Sequence, residues 1–180
     1  MSDKAVFLDR DGVINKDHGY IYKVEDFEFI AGVFDACRHF KQLGYKLIIV
    51  TNQSGIGRGY YSESEFVALT DWIRSQFIAN DCEIDGVYFC PHHPEQAVAP
   101  YLIECKCRKP APGMILSGIE DFNLVPSACV MIGDKPSDIA AAEAAGIGRK
   151  ILLSAEQLDA DKAGGADEIW QSLACGLQRF

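Results

Sequence analysis

The sequence predicts an α/β protein built on a parallel sheet. Three observations carry this expectation. Strand-like and helix-like stretches alternate along the chain, as in successive βα units. The run Leu47-Ile48-Ile49-Val50 is apolar without interruption, as in a strand covered on both faces. The run Ala5-Val6-Phe7-Leu8 stops at Asp9-Arg10-Asp11-Gly12, so a buried strand ends in two carboxylates two residues apart.

In chain order, Ala5–Leu8 is the first expected strand, and a helix follows over 31–43 with Gly44 as its terminating residue. Lys46–Val50 is the second strand. Ser62-x-x-Glu65 has the form of a capping box and opens a helix over 62–79, with Phe66, Leu69, Ile73 and Phe77 at helical spacing. Gly86–Phe89 is the third strand. Pro112 opens a helix to about Phe122. Cys129–Gly133 is the fourth strand, followed by an alanine-rich helix over 137–145 that closes at Gly146. Lys150–Leu153 is the fifth, and a last helix near Glu168–Leu177 is expected against the sheet edge. Residues 90–112 have no periodicity and are too long for an ordinary connection, so they need their own source of order.

The 180 residues suit one domain with a full core, taken as 1–180 with the irregular loop at about 90–107. Hydrophobic residues at 48% and charged residues at 24% exclude a disordered or membrane-embedded chain. No apolar run approaches the ~20 residues of a membrane span. Met1-Ser2-Asp3-Lys4 leads directly to a strand, without a secretory leader, so a cytoplasmic protein is expected. A net charge of −9 argues against non-specific partners such as nucleic acid or an anionic membrane. Nothing demands an oligomer, and a monomer is expected. Seven cysteines in a reducing compartment read as free or metal-bound, with Cys37, Cys82, Cys129 and Cys175 scattered among apolar neighbours.

Ligands of open parallel sheets bind beyond the carboxyl ends of the strands. Asp9 and Asp11 follow the first strand, Thr51, Asn52, Gln53 and Ser54 the second, and Asp134, Lys135 and Asp138 the fourth. Arg108 and Lys109 precede the Pro112 helix. This set suits phosphoryl transfer. Asp9 would attack phosphorus, and Asp11 would protonate the leaving alcohol and later activate water. Mg²⁺ would offset the repulsion between carboxylate and phosphate, with Asp134 completing its site. Thr51 and Lys109 would hold phosphate oxygens as charge develops.

Cys90-Pro91-His92-His93-Pro94 and Cys105-Lys106-Cys107 supply Cys-x-His and Cys-x-Cys, enough for a closed four-ligand Zn²⁺ site with either histidine. Such a zinc is structural and would order a loop that lacks a core.

Asp9-Arg10-Asp11-Gly12-Val13, Thr51-Asn52, Lys109 and Gly133-Asp134-Lys135-x-x-Asp138 resemble the four-motif signature of the haloacid dehalogenase superfamily of phosphohydrolases. The resemblance implies a Rossmann-like, doubly wound parallel sheet. It also implies Asp9 as nucleophile, Asp11 as acid/base, and Mg²⁺ on Asp9, the Asp11 carbonyl and Asp134, with Asp138 orienting rather than ligating. Within the superfamily the chain is similar to the capless, zinc-containing branch of heptose bisphosphate and histidinol-phosphate phosphatases. That likeness rests on Asp17-His18-Gly19-Tyr20, on Thr51 to Gly59, on Cys90-Pro91-His92-His93-Pro94 and on Cys105-x-Cys107-Arg108-Lys109-Pro110. It favours the heptose enzymes, names His92 as the zinc ligand with Cys90, Cys105 and Cys107, and implies no large cap domain. It further implies a small phosphorylated sugar as substrate, contacted by Asp17, His18, Gly19, Tyr20, Asn52, Gln53, Ser54, Arg108 and Lys135. Gly55-Ile56-Gly57-Arg58-Gly59 follows the wrong strand for a dinucleotide fingerprint. It reads as a loop at the site, either a glycine hinge or the carrier of an Arg58 ligand for a distal phosphate. Histidinol phosphate as substrate, and a non-catalytic zinc-stabilised binding protein, are the competing expectations.

Overall fold

The structure is a computed structural model and describes residues 3–156 and 163–180. Six strands form one parallel sheet: β1 Ala5–Leu8, β2 Lys46–Asn52, β3 Gly86–Cys90, β4 Val130–Gly133, β5 Arg149–Leu153 and β6 Glu168–Trp170. Their spatial order is β3-β2-β1-β4-β5-β6. The helices are α1 Val33–Gln42, α2 Ser54–Gly57, α3 Glu63–Ala79, α4 Gly113–Asp121 and α5 Pro136–Ala144.

The topology follows from chirality. The chain steps outward from β1 to β2 and β3, then returns past β1 to β4, β5 and β6. Right-handed crossovers put helices on opposite faces once that direction reverses. Accordingly α1 and α3 cover one face. Val33, Phe40, Leu69, Ile73 and Phe77 pack there on Val6, Leu8, Leu47, Ile49, Val130 and Ile132. On the other face Met114 and Ile115 of α4 and Ala141 and Ala142 of α5 pack on Ala5, Phe7, Ile48, Val50 and Met131. The alternation along each strand is the pleat itself. Burial of β1 on both faces explains its unbroken apolar run.

The Ser62–Glu65 capping box forms as expected: Ser62 Oγ accepts from Glu65 N–H at 3.2 Å and the Glu65 carboxylate accepts from Ser62 N–H at 2.8 Å. The chain end departs from expectation. The helix expected near Glu168–Leu177 is instead β6 followed by a 3₁₀ turn over Leu173–Gln178. Glu168, Ile169 and Trp170 pair in parallel with Ile151, Leu152 and Leu153, and buried Trp170 joins the α1-side core. Strand pairing beside β5 and the burial of one indole outweigh the helical pattern. The glycine-rich stretch after β2 departs too. It holds the single helical turn α2, and Gly55 and Gly57 are sites of close approach rather than a hinge. A Cβ on Gly55 would lie 2.3 Å from the Tyr61 ring, and one on Gly57 would lie 2.5 Å from the Pro91 carbonyl. All seven cysteines are free thiols. Among the described residues no helix is long and apolar enough to cross a membrane.

Candidate active site

The order reversal between β1 and β4 leaves a crevice at the carboxyl ends of the strands, where open α/β sheets bind ligands. A cleft of about 570 Å³ opens there. Its lining includes Asp9, Asp11 and Lys109, together with Asp17, Gly19, Tyr20, Asn52, Gln53, Ser54, Arg108 and Lys135. His18 is the exception among the expected substrate contacts. Its exposed ring turns to Glu28, with Nε2 3.8 Å from the carboxylate. Arg58 also lies outside the lining, with its guanidinium 5.7 Å from the centre of the Tyr20 ring.

A tight turn after β1 delivers the two carboxylates. The Arg10 carbonyl accepts N–H groups from Val13, Ile14 and Asn15, and Gly12 takes φ +90°, which disfavours any side chain. Gly12 is also required by space, since a Cβ there would lie 2.1 Å from Asp134 Oδ2. Asp9 is 5% exposed, and its Oδ1 accepts from Arg10 N–H at 2.9 Å. Lys109 is equally buried. Its ammonium lies 2.9 Å from Asp9 Oδ1, 2.6 Å from Asp138 Oδ1 and 2.8 Å from the Val50 carbonyl. The Lys109 backbone is clamped to the end of β2: its N–H donates to Asn52 Oδ1 at 3.0 Å and its carbonyl accepts from Asn52 Nδ2 at 3.1 Å.

These contacts set the charge balance. Burial pushes the Asp9 carboxyl up to about 7; Lys109 opposes the shift, and Asp138 and Asp134 add to it. Burial also raises Asp134, and its Oδ1 is buried without a hydrogen-bond partner. Burial alone would lower Lys109, but Asp9 and Asp138 outweigh it and hold the ammonium above its usual range. The second oxygen of Asp138 accepts from Asp134 N–H at 3.1 Å and Lys135 N–H at 3.0 Å. Asp138 is thus engaged on both oxygens. Asp9, Asp134 and Asp138 still bring oxygens within 4.8 Å of one another around one buried ammonium. That excess of negative charge, together with the orphaned Asp134 Oδ1, fits a hard divalent cation.

Asp11 is held by donors on both oxygens. Oδ1 accepts from Arg10 Nη2 and Asn15 Nδ2, each at 3.0 Å, and Oδ2 accepts from Gln53 Nε2 at 3.0 Å. Gln53 Nε2 also donates to Thr51 Oγ1 at 2.8 Å, and Tyr61 Oη donates to Gln53 Oε1. Lys135 reaches toward Asp17 at 3.4 Å, across the cleft mouth. Sequence reasoning missed Arg10, Asn15 and Tyr61 as site residues. A buried Arg between two acids and a buried Asn after Val13-Ile14 were available signals; Tyr61 offered none.

In the irregular loop, Cys90 Sγ lies 3.5 Å from Cys105 Sγ and 2.8 Å from Cys107 Sγ, and the last two are 3.4 Å apart. His92 Nδ1 lies 3.6 Å from Cys90 Sγ and 3.4 Å from Cys107 Sγ. A tetrahedron with ~2.3 Å metal–sulfur bonds has edges of about 3.8 Å, so a small outward movement would seat a metal. His93 is occupied elsewhere: its Nδ1 accepts from Glu95 and Gln96 N–H groups. The Arg108 N–H donates to Cys105 Sγ at 3.4 Å, which joins this cluster to Lys109 through one peptide.

A family model for haloacid dehalogenase-like hydrolases matches residues 6–146. The D-glycero-beta-D-manno-heptose-1,7-bisphosphate 7-phosphatase of Vibrio cholerae serotype O1 is 54% identical over 153 residues, 85% of this chain and 82% of that protein. The D-glycero-alpha-D-manno-heptose-1,7-bisphosphate 7-phosphatase of Burkholderia mallei is 51% identical over 153 residues, 85% of this chain and 81% of that protein. Among solved structures, the D,D-heptose 1,7-bisphosphate phosphatase of B. bronchiseptica, complexed with magnesium and phosphate, is similar with a TM-score of 0.82. It is 26% identical, and the match covers 98% of this chain and 97% of that one. On its motifs, its sheet order and these matches, the chain belongs to the haloacid dehalogenase-like hydrolases.

Proposed function

We propose that the chain is a Mg²⁺-dependent phosphatase that removes the C7 phosphate of D-glycero-D-manno-heptose 1,7-bisphosphate, a step toward the nucleotide-activated heptose of lipopolysaccharide. The observation that carries the reading is the meeting of buried Asp9, Lys109 and Asp138 with Asp11 at one strand-end cleft. The substrate comes from relatives above 50% identity that are heptose-1,7-bisphosphate 7-phosphatases.

Asp9 is the nucleophile. Its carboxylate oxygen attacks phosphorus, the bond between phosphorus and the C7 oxygen breaks, and an aspartyl-phosphate forms. Asp11 gives its proton to the departing C7 oxygen. As a carboxylate it then takes a proton from the water that attacks the aspartyl-phosphate, and inorganic phosphate leaves with Asp9 restored. Lys109 and Thr51 hold phosphoryl oxygens as charge builds. Asp138 orients Lys109 rather than binding metal, because both its oxygens are already engaged. Asp9, the Asp11 carbonyl and Asp134 would hold Mg²⁺, which when bound offsets repulsion between carboxylate and phosphate. Arg108 and Lys135 supply positive charge at the cleft for the distal phosphate.

Cys90, His92, Cys105 and Cys107 would hold a structural Zn²⁺. The donor set, the mutual distances and the separate engagement of His93 support this. The metal would fix the loop that carries Arg108 and Lys109, so it serves catalysis by position alone. Residues 1–180 form a single unit in this reading, with the loops at 15–30, 53–61 and 90–107 enclosing the sugar.

The test is phosphate release from both anomers of the heptose bisphosphate and from histidinol phosphate, with and without Mg²⁺. Mg²⁺-dependent preference for a heptose bisphosphate, lost in Asp9→Asn, is the expected result. Preference for histidinol phosphate would reassign the substrate, and turnover retained in Asp9→Asn would remove the nucleophile.

A further inference from the structure

Among the described residues, every hydrogen-bond partner of the Asp11 carboxylate donates to it. Arg10 has no acceptor at all. Asn15 turns its amide nitrogen toward Asp11 and the Lys16 carbonyl together. Gln53 alone could present either end of its amide, because an amide flip exchanges oxygen for nitrogen at little steric cost. What favours the end shown is Tyr61, whose hydroxyl donates to Gln53 Oε1; a flipped amide would take that acceptor away from the phenol hydrogen.

Tyr61 is itself tightly held. Its ring stacks on Tyr22 with centroids 5.1 Å apart and planes 8° from parallel, and Gly55 leaves room for it where a Cβ would intrude to 2.3 Å. Burial pushes its phenol up to about 12, so it remains a donor at working pH. With Oε1 committed to Tyr61, Gln53 offers only N–H groups inward, one to Asp11 Oδ2 and one to Thr51 Oγ1.

We infer that Tyr61 and Gln53 are a positioning pair that keeps the Asp11 proton available to the leaving oxygen. When Asp11 is protonated, its Oδ1 already faces two donors, so the proton belongs on Oδ2. If Gln53 flipped, its carbonyl would accept that proton and tie it up. Locked by Tyr61, Gln53 presents a donor there, and the proton is left for the departing alkoxide to take. The same lock makes Thr51 Oγ1 an acceptor toward Gln53 at 2.8 Å, so its hydroxyl hydrogen, which makes only a long 3.5 Å contact to the Asn52 carbonyl, can turn to a phosphoryl oxygen. Gln53 therefore acts through Asp11 and Thr51, in place of the direct sugar contact that its motif suggests. Arg10 and Asn15 complete the arrangement on the other oxygen.

This inference rests on the proposed role of Asp11 as proton donor, and the experiment separates the two. The readout is kcat/KM, which reports steps up to loss of the first leaving group. It is measured with heptose 1,7-bisphosphate, whose alkoxide needs a proton, and with p-nitrophenyl phosphate, whose phenolate does not. Asp11→Asn should lower the sugar value about 10²–10⁴-fold more than the aryl value. Tyr61→Phe should show the same selectivity at about tenfold. Gln53→Met, which can neither donate nor accept the proton strongly, should show a smaller selective loss than Tyr61→Phe. If Tyr61→Phe lowers both substrates by the same factor, or neither, the positioning pair is refuted while Asp11 stands. If Asp11→Asn itself lacks selectivity, the proton-donor role and the inference fall together.

Discussion

Replacing Lys109 with methionine probes the charge balance of the cleft. The side chain keeps its length and apolar stem but loses its ammonium, and with it contacts to Asp9 Oδ1, Asp138 Oδ1 and the Val50 carbonyl. Removing one partner of a buried ion pair costs about 3–5 kcal/mol, and an orphaned buried carbonyl adds about 1–3 kcal/mol. The carboxylates have an escape, however, because they can take up protons. Asp9 sits at about 7 even with Lys109 beside it, and the loss of that attraction moves it higher. Its folded pKa then lies well above the unfolded value, so the folded state binds the extra proton and stability falls as pH rises between the two. Each pH unit between the unfolded pKa and the raised one costs about 1.4 kcal/mol, and the loss levels off above the raised pKa. The expected loss for Lys109→Met in metal-free protein is therefore about 3–5 kcal/mol at pH 8 and smaller at pH 5.5. Urea unfolding at the two pH values, followed by circular dichroism, measures it. Turnover should fall at least about 10³-fold, and added Mg²⁺ should recover stability without recovering turnover. A destabilisation equal at pH 5.5 and pH 8 would refute the reasoning.

Mg²⁺ binding should carry its own pH signature. With Asp9 near 7 in the metal-free site, the cation displaces a proton below that pH, so apparent Mg²⁺ affinity should rise up to about tenfold per pH unit and level off above pH 7. A Mg²⁺ titration of activity between pH 5.5 and 8.5 reads this, and a flat profile would contradict the assignment. Gly12→Ala places a Cβ against Asp134 Oδ2 and forces a side chain to φ +90°, so it should cost about 1–3 kcal/mol and raise the Mg²⁺ requirement. Thermal melting and the same titration check it, and an unaltered Mg²⁺ dependence would be evidence against Asp134 as a ligand. Cys107→Ser should lose bound zinc, measured by elemental analysis, and lower the melting temperature while β1 and β2 keep their structure. Full zinc content with normal kinetics would remove the zinc assignment.

The sheet and the cleft are legible in the sequence because both depend on short-range patterns. Apolar runs give the strands, and whatever follows each run must emerge at the carboxyl edge. Asp9, Asn52 and Lys135 meet there for that reason. The last strand is not legible. Glu168-Ile169-Trp170 is too short to show a period, and only its pairing with β5 makes it extended. The orientation of His18 is not legible either: the next two residues take positive φ, at +80° for Gly19 and +52° for Tyr20, and the turn leaves His18 facing Glu28 while its neighbours line the cleft. The choice between His92 and His93 needs geometry as well, since it depends on the two N–H groups that already engage His93. Tyr61 is the clearest case. It lies outside every motif and reaches the site only because α2 turns the chain back under Gly55. Residue types and spacing identify the groups that carry charge. Whether a proton or a cation can reach them depends on which lone pairs their neighbours leave open. Here those are Asp11 Oδ2, which faces a locked donor, and Asp134 Oδ1, which faces none.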